Sequence, residues 1–279
     1  MRGIVIALLV AAVANAQPEL SLASHGDALR IVVTGDVGNE TVRVAAGIAK
    51  IGAIDAIIIP GDNFYPCGVT SKDDPHWRIL DPLAKFGVPL FPVLGNHDYC
   101  GNANAQINAP LANWDFPAKE YAIRSDVADF VMIDTFPYLK GGDTPSISFN
   151  DDKKWRIVVG HHTVMSSGYH GYLPRSEVRR MRKLLPLFRK ERVDLYICGH
   201  DHHQELIGGK PLFLVSGAGS DPVPILVLHN ATLFPTNIPF REPIGFTLLE
   251  ITRDSLAITF YDEHANKRGG PFVTAHRSE

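Results

Sequence analysis

The sequence predicts a single α/β domain, and three observations support this prediction. Apolar, β-branched runs of strand length alternate with helical segments over much of the chain. Several of these runs end in a glycine beside a polar residue that can bind metal, as expected for a site at the carboxyl ends of a sheet. Residues 17–279 have the length of one large domain.

The composition is that of a globular protein and argues against two classes of partner. Hydrophobic residues make up 45% of the chain and charged residues 20%, which is ordinary for a packed core. The net charge of −3 argues against nucleic acid as the natural partner. No run after the N-terminus approaches membrane-spanning length, so we expect no membrane span.

The N-terminus has the layout of a secretory signal peptide. Met1-Arg2 is a short basic start, Ile4–Val13 is apolar, and Ala14-Asn15-Ala16 has the A-x-A cleavage pattern. We therefore predict a signal peptide over residues 1–16 and a secreted or endolysosomal protein. Residues 17–279 would form the mature domain.

The sequons and cysteines agree with an extracellular protein. Asn39 and Asn230 lie in N-x-S/T sequons. Asn39 is close in sequence to Asp36, a candidate metal ligand described below, which argues against its glycosylation. Cys67 and Cys100 lie in predicted loops, whereas Cys198 ends an apolar strand. We expect Cys67 to pair with Cys100 and Cys198 to be a buried thiol, although sequence alone does not establish the pairing.

The first half of the chain begins with a β-α-β unit. Leu29–Thr34 predicts a strand, residues 39–51 a helix, and Ala53–Pro60 a buried strand, an order that implies a parallel pair. A helix near residues 76–86 and a strand at Val88–Val93 follow.

The middle of the chain combines predicted loops with further strands. Residues 101–116 are rich in Asn, Ala and Gly and predict a surface loop. Tyr121–Arg124 and Phe130–Asp134 predict antiparallel strands. Residues 137–154 predict another loop, before a strand at Trp155–Val159.

The last part of the chain is predicted to be mostly β-structure. A helix near residues 175–192, interrupted or kinked at Pro186, precedes a strand at Asp194–Cys198. The remaining predicted strands are Pro211–Val215, Phe246–Ile251, Leu256–Tyr261 and Phe272–Ala275.

Five predicted strands end in turns with metal-ligating residues. Each turn also has a glycine, which lets the backbone turn sharply and neighbouring loops crowd together. One such turn alone would more often be an ordinary loop, but five of them favour a metal centre. Carboxylates, a phenolate, an amide oxygen and imidazoles suit two fairly hard cations better than a thiolate zinc site. The residues are Asp36, Asp62, Tyr65, Asn96, His97, His161, His200 and His202.

The ordered motifs resemble those of the purple acid phosphatases, most closely the small, mammalian-type tartrate-resistant enzymes. They are Gly-Asp-Val-Gly, Gly-Asp-Asn-Phe-Tyr, Gly-Asn-His-Asp, Val-Val-Gly-His and Gly-His-Asp-His. The resemblance covers essentially all of residues 17–279. It implies a sandwich of two mixed sheets flanked by helices, with a dinuclear metal site at the strand ends.

The resemblance implies two metal ions bridged by Asp62. Tyr65 distinguishes this family from the wider metallophosphoesterases, which usually have Asp-x-His in the first motif, where this chain has Asp36-Val37-Gly38. The phenolate of Tyr65 favours Fe(III) and would give a purple absorption band. The ferric ion would have the ligands Asp36, Tyr65 and His202. The second ion, Fe(II), Zn(II) or Mn(II), would have the ligands Asn96, His161 and His200.

The implied activity is hydrolysis of phosphomonoesters in acid by a metal-bound hydroxide. His97 and His170 are the candidate catalytic acids, since a histidine is largely protonated at acid pH. His97 directly follows Asn96, and the spacing of His170 from His161 matches a substrate-pocket histidine of the mammalian-type enzymes. Asp98 is expected to orient His97.

One segment departs from the mammalian-type pattern. Between Asp134 and Trp155 those enzymes carry a protease-sensitive loop that represses activity, whereas only a short loop fits here. We therefore expect activity without proteolytic cleavage.

Two other functions stay open on the sequence alone. One is a phosphodiesterase or nucleotide phosphatase of the same superfamily, with access controlled by loops at residues 101–116 and 221–243. The other is a secreted iron or redox protein with incidental hydrolysis, against which His97 and His170 argue because a storage site needs no proton donor. We expect small phosphate esters as substrates and a monomeric protein.

Overall fold

The computed structural model describes residues 17–150, 154–221, 223, 225, 231–234 and 244–276. The predicted signal peptide and Asn230 lie outside these residues. The described chain forms two mixed β-sheets flanked by helices, which confirms the predicted fold class.

Fourteen strands form the two sheets within the described part of the chain. In chain order they are β1 (Glu19–Ser21), β2 (Leu29–Val33), β3 (Ala56–Ile59), β4 (Leu90–Pro92), β5 (Tyr121–Arg124), β6 (Ala128–Met132), β7 (Trp155–Val159), β8 (Leu195–Cys198), β9 (Gln204–Ile207), β10 (Leu212–Ser216), β11 (Thr232–Phe234), β12 (Gly245–Ile251), β13 (Ser255–Asp262) and β14 (Lys267–Ala275).

The helices are short, and several begin next to the motif turns. In chain order they are α1 (Thr41–Ile48), α2 (Asp81–Ala84), α3 (Asn96–Cys100), α4 (Thr135–Leu139), α5 (Arg175–Arg182) and α6 (Leu185–Lys190), with 3₁₀ turns at Pro75–Leu80, Ala103–Gln106 and Tyr169–Gly171. No helix within the described residues is both long and apolar enough to span a bilayer.

The two sheets divide the five motifs between them. The smaller sheet has the order β14-β13-β12-β2-β3-β4, and β2, β3 and β4 run parallel. The larger sheet has the order β1-β5-β6-β7-β8-β10-β9-β11, and β6, β7, β8 and β10 run parallel. Strands β2, β3 and β4 therefore lead into the first three motifs, and β7 and β8 into the last two.

The main hydrophobic core includes buried side chains from both sheets. Ile31 and Phe91 of the smaller sheet belong to the same cluster as Phe130, Ile157 and Leu214 of the larger one. A second cluster covers the other face of the larger sheet, where Met181 and Phe188 of α5 and α6 pack. Strands buried on both faces favour β-branched and aliphatic residues, which explains their near-continuous apolar sequences.

Most predicted elements are present, and the differences have local causes. Pro186 lies in the first turn of α6 and separates it from α5, as predicted. The helix predicted near residues 76–86 is instead a 3₁₀ turn followed by α2, and both have a proline at their start. Strands β1, β9 and β11 were not predicted.

The loop predicted at residues 101–116 is irregular as expected, apart from a 3₁₀ turn at Ala103–Gln106, but its predicted position at the surface is only partly correct. Much of this segment is buried: its apolar side chains enter the main core, and Gln106 is fully covered. Trp114 also donates an Nε1–H bond to the carbonyl of Gln106 at 2.8 Å. The predicted loop at residues 137–154 begins within α4.

A disulfide links the segments that follow the second and third motifs. It joins Cys67 to Cys100, whose Cα atoms lie 5.1 Å apart, and Cys198 is a buried free thiol. Both agree with the expectation from the sequence.

Candidate metal centre

The turns after β2, β3, β4, β7 and β8 meet at one edge of the two sheets. Backbone bonds link these turns directly: Asp36 N donates to Gly61 O at 3.0 Å, and Gly199 N donates to His161 O at 3.2 Å. All of the predicted ligand residues are therefore brought together, in two groups that share one carboxylate.

The first group surrounds the phenol of Tyr65. Tyr65 Oη lies 3.1 Å from Asp36 Oδ1, 2.9 Å from Asp62 Oδ2 and 3.0 Å from His202 Nε2. His202 Nε2 is in turn 3.5 Å from Asp36 Oδ1. Four side chains thus direct a donor atom at a common point.

The second group surrounds His161. His161 Nε2 lies 3.1 Å from both Asn96 Oδ1 and His200 Nδ1 and 3.3 Å from Asp62 Oδ2. The oxygen Asp62 Oδ2 therefore belongs to both groups, as a bridging carboxylate would.

These contacts bring together more lone pairs than protons. The hydroxyl of Tyr65 has one proton, yet three potential acceptor atoms surround its oxygen, so hydrogen bonding cannot satisfy them all. Ligands at right angles around an ion at about 2.1 Å are about 3 Å apart, which is close to the separations within each group. Both groups therefore fit a metal ion by number, chemistry and spacing of their donors.

Backbone carbonyls fix the orientation of two of the imidazoles. His161 Nδ1 lies 2.9 Å from Pro60 O, and His202 Nδ1 lies 3.1 Å from Asp221 O. A ring nitrogen that faces a carbonyl must donate its proton, so Nε2 is the nitrogen of each ring that would bind a metal ion after losing any proton of its own. Metal-binding histidines are commonly held in this way.

The local backbone explains why glycines accompany the ligands. A Cβ on Gly95 would lie 2.1 Å from Asp62 Oδ1, and one on Gly199 would lie 2.2 Å from Asp36 Oδ2. The space beside each of these glycines is therefore filled by a carboxylate from a neighbouring turn. The glycines serve close approach more than sharp turning.

Charge and burial shift the pKa values of the central groups. Burial raises the pKa of Asp36, although His202 and His161 oppose this effect. Burial also acts to raise the pKa of Asp62, but the charge of His161 outweighs it and lowers that pKa. Burial acts to lower the pKa of His161, and the charge of Asp62 outweighs it in turn. A bound cation would replace the His161 proton, so metal binding and proton release are coupled.

His97 lies at the open side of the first group. Its ring packs on Tyr65 with the centroids 4.4 Å apart, and its backbone N–H donates to Asp62 Oδ1 at 2.8 Å. Its Nδ1 lies 2.6 Å from Pro66 O. The expectation that Asp98 orients His97 is not supported, because this carbonyl faces His97 Nδ1 instead.

Asp98 organises the loops below the site. Its buried carboxylate accepts N–H bonds from Gly95 at 2.8 Å, from the Asn63 backbone at 3.1 Å and from Gln106 Nε2 at 2.9 Å. Burial and the charge of Asp62 raise the pKa of Asp98, whereas these N–H donors oppose that shift.

His170 lies beside the second group. Its ring centroid is 3.7 Å from that of His200, and its backbone N–H donates to Asp201 Oδ1 at 3.0 Å. Asp201 also accepts the hydroxyl proton of Ser166, so it holds the turn that carries His170.

Two further histidines near the motifs are buried. His162 lies within the site, where its Nδ1 is 2.7 Å from Thr135 Oγ1 and its ring contacts those of His161 and His200. His203 faces away, and its Nε2 is 3.1 Å from Glu205 Oε2. Each follows a predicted ligand directly in sequence, His161 and His202 respectively. This adjacency indicates a position near the site but does not reveal that the two side chains point in different directions.

The chain is similar to known proteins in both sequence and structure. The sequence model of the family "calcineurin-like phosphoesterase" matches residues 29–204. Purple acid phosphatase 7 of Arabidopsis thaliana is 30% identical, with 85% of this chain and 84% of the relative covered. Tartrate-resistant acid phosphatase type 5 of Sus scrofa is 29% identical, with 84% and 83% covered.

Among solved structures, similarity extends to GAP50, the anchor in the inner membrane complex of Plasmodium. It superposes with a TM-score of 0.68 at 26% identity and covers 91% of this chain and 90% of that one. Together with the family match, these similarities agree with the order and geometry of the five motifs. The chain therefore belongs to the calcineurin-like phosphoesterase family and, within it, groups with the purple acid phosphatases.

Proposed function

We propose that this protein is an acid phosphatase that hydrolyses small phosphomonoesters at a dinuclear centre of Fe(III) and a divalent iron, zinc or manganese ion. The observation that carries the proposal is the pair of donor groups that share Asp62 Oδ2. Asp36, Tyr65 and His202 would hold the ferric ion, and Asn96, His161 and His200 the divalent ion. Two such ions supply positive charge for the phosphate and an activated water nucleophile.

The phenol of Tyr65 supports Fe(III) in the first position. Burial and the nearby carboxylates Asp36 and Asp62 raise the pKa of Tyr65 strongly in the absence of a cation. Only a strongly charged, hard ion overcomes that cost and holds the phenolate. The neutral amide and imidazoles of the second group suit a divalent ion.

His97 and His170 supply the acid for the leaving group. His97 packs beside Tyr65 of the first group, and His170 packs beside His200 of the second. The Pro66 carbonyl holds a proton on His97 Nδ1, which leaves Nε2 to exchange a proton with substrate. Burial lowers the pKa of His170, so this residue is charged only in acid.

The test is hydrolysis of a phosphomonoester and a phosphodiester by the metal-loaded protein at one acid pH. We expect monoester hydrolysis to dominate, and His97→Ala to reduce kcat by about 10²–10⁴-fold with unchanged metal content. His264→Ala, an exposed histidine distant in sequence from the motifs, is the matched control. Full activity of His97→Ala would remove His97 from the mechanism, and preference for the diester would favour the phosphodiesterase alternative.

A binding role without catalysis is the second candidate, and the similarity to GAP50 is the observation that favours it. The complete donor set argues for catalysis, because a protein that only anchors a partner needs no such set. The same argument opposes an iron or redox role, for which His97 and His170 would be superfluous. A metal-loaded protein that hydrolyses neither ester would support the binding role.

We further propose that residues 17–279 form one domain that is secreted or delivered to an endolysosomal compartment, acts as a monomer and binds no nucleic acid. The acid-requiring histidine His170 fits such compartments. N-terminal sequencing of the exported protein should give Gln17 as the first residue; an intact Met1 terminus would contradict the proposed processing.

A further inference from the structure

A small pocket lies between the second ligand group and helix α5. Its volume is about 10 Å³, which is about the space for one water molecule or ion. Val178 and Met181 form part of its apolar wall. Its polar wall consists of His162, Thr163, His170, Glu177 and His200.

The polar groups of this pocket converge as metal ligands do. One ligand atom from each of His170, Glu177 and His200 lies within 4.8 Å of the other two. The buried Nδ1 of His170 has no hydrogen-bond partner within the described part of the chain. A buried, unsatisfied ring nitrogen is costly, and an ion in the pocket would remove that cost.

Glu177 is available to such an ion. Its Oε1 lies 3.7 Å from Lys140 Nζ, and the Lys140 side chain is 58% exposed. Exposed ion pairs of this kind contribute little to stability, so a divalent cation can replace the lysine. Glu177 also lies on a helix, whose backbone fixes its position beside His170.

His200 contacts the second ligand group through Nδ1, so its Nε2 is the nitrogen that an ion in the pocket would use. Its Nδ1 lies 3.1 Å from His161 Nε2, inside the second ligand group. The other nitrogen, Nε2, lies across the ring from Cγ, the atom that joins the ring to Cβ. An imidazole that binds an ion through each nitrogen releases its remaining proton to solvent.

We propose that this pocket is a third metal site, which takes a zinc ion held by His170, Glu177 and His200. Two imidazoles and one carboxylate are a ligand set that zinc prefers. His162 lines the same pocket and can serve as the fourth ligand. The site is separate from the two proposed ions of the dinuclear centre and shares only His200 with them.

A zinc ion in this site would inhibit the enzyme. This consequence rests on the proposed phosphatase function, in which His170 acts as an acid. An ion on His170 takes the nitrogen lone pair that a catalytic acid needs, and it adds positive charge that opposes protonation. Excess zinc should therefore inhibit hydrolysis without displacing the ions of the dinuclear centre.

The test measures zinc binding directly on the protein with its dinuclear centre filled. Equilibrium dialysis against micromolar Zn²⁺ should give one additional zinc per chain in the wild type. Glu177→Gln should weaken this additional binding at least about tenfold, since even residues that merely support a ligand cost that much. Glu191→Gln is the control, because Glu191 is a helix-end glutamate with similar exposure, paired with Lys190.

Three results would overturn the third site. They are a wild type that takes up no additional zinc, a Glu177→Gln variant that binds it as tightly as the wild type, and an equal loss in Glu191→Gln. Inhibition by excess zinc, relieved in Glu177→Gln, tests the regulatory consequence. Additional zinc on a protein without phosphatase activity would sustain this site and reject the proposed function.

Discussion

Three of the proposed ligands hold a left-handed backbone conformation. Asp36, Asp62 and His200 have φ angles of 56°, 51° and 69°, which cost energy for residues other than glycine. The turns bear this cost because it directs the three side chains to one point. Strained residues of this kind cluster at functional sites, and here they coincide with the donor groups.

A methyl group added at Gly199 should reduce both the stability of the protein and its metal content. The new Cβ would lie 2.2 Å from Asp36 Oδ2, so Gly199→Ala must displace a proposed ligand. We expect the free energy of unfolding to fall by about 1–3 kcal/mol. We also expect the variant to bind less than one metal ion per chain instead of two. Thermal unfolding and metal analysis measure both effects.

Gly26→Ala is the control for this substitution, because a Cβ there would have no neighbour within 4 Å. Full metal content in Gly199→Ala would show that Asp36 is not required at its present position.

At this scale the sequence predicted which donor residues come together, but not the role of Asp98. The predicted ligands follow strand ends and stand beside glycines. This pattern is local in the sequence, so it can be recognised without knowledge of the tertiary structure. Asp98 is adjacent to His97 in sequence, but both lie in the first turn of α3, where consecutive side chains point in different directions. Nor does the sequence show that His162 lies within the site, because adjacency to His161 does not reveal which of two histidines enters a pocket.

At the scale of elements, a buried polar network joins the start of β9 to the turn after β7. Glu205 accepts N–H and O–H bonds from Ser167, the N–H bond at 2.8 Å, and lies 3.1 Å from His203 Nε2. Burial acts to raise the pKa of Glu205, but the bonds from His203 and Ser167 outweigh it and lower that pKa. The charged carboxylate therefore stabilises this connection.

Removing this charge should cost stability in a pH-dependent way. Glu205→Gln should lose about 3 kcal/mol at neutral pH, as expected when a buried pair is broken. Because the folded pKa lies below the usual 4.5, the stabilisation is complete above that pH and is lost as pH falls through the folded value. Urea unfolding from pH 7 downwards measures the difference.

The difference in the free energy of unfolding between wild type and Glu205→Gln should become smaller below pH 4.5. A difference that increases on acidification would contradict a charged Glu205 carboxylate in the folded protein. Glu191→Gln, at a partly exposed helix end, should show little difference at any pH.

Elements with strong local patterns were predictable, and those that depend on distant partners were not. The buried strands and the break at Pro186 follow from composition and proline chemistry. Strand β1 has three residues and exists through parallel pairing with β5, far along the chain. The segment at residues 101–116 is partly buried because Trp114 and Phe116 enter a core assembled from both sheets.

At the scale of the whole molecule, the site depends on two sheets that present their strand ends at one edge. Strand order and the meeting of β2–β4 with β7 and β8 arise from pairings between distant segments, which periodicity alone does not determine. The resemblance to a known family supplied this arrangement in advance. The disulfide between Cys67 and Cys100 then ties together the loops of the smaller sheet that carry Tyr65 and His97.

The most direct test of the dinuclear Fe(III) centre is the visible absorption spectrum and metal content of the purified protein beside its Tyr65→Phe variant. We expect about two metals per chain and a purple charge-transfer band in the wild type. The variant should lose the band, because the phenolate is its donor. Two metals without such a band would contradict the ferric assignment, and a wild type that binds no metal would contradict the metal centre as a whole.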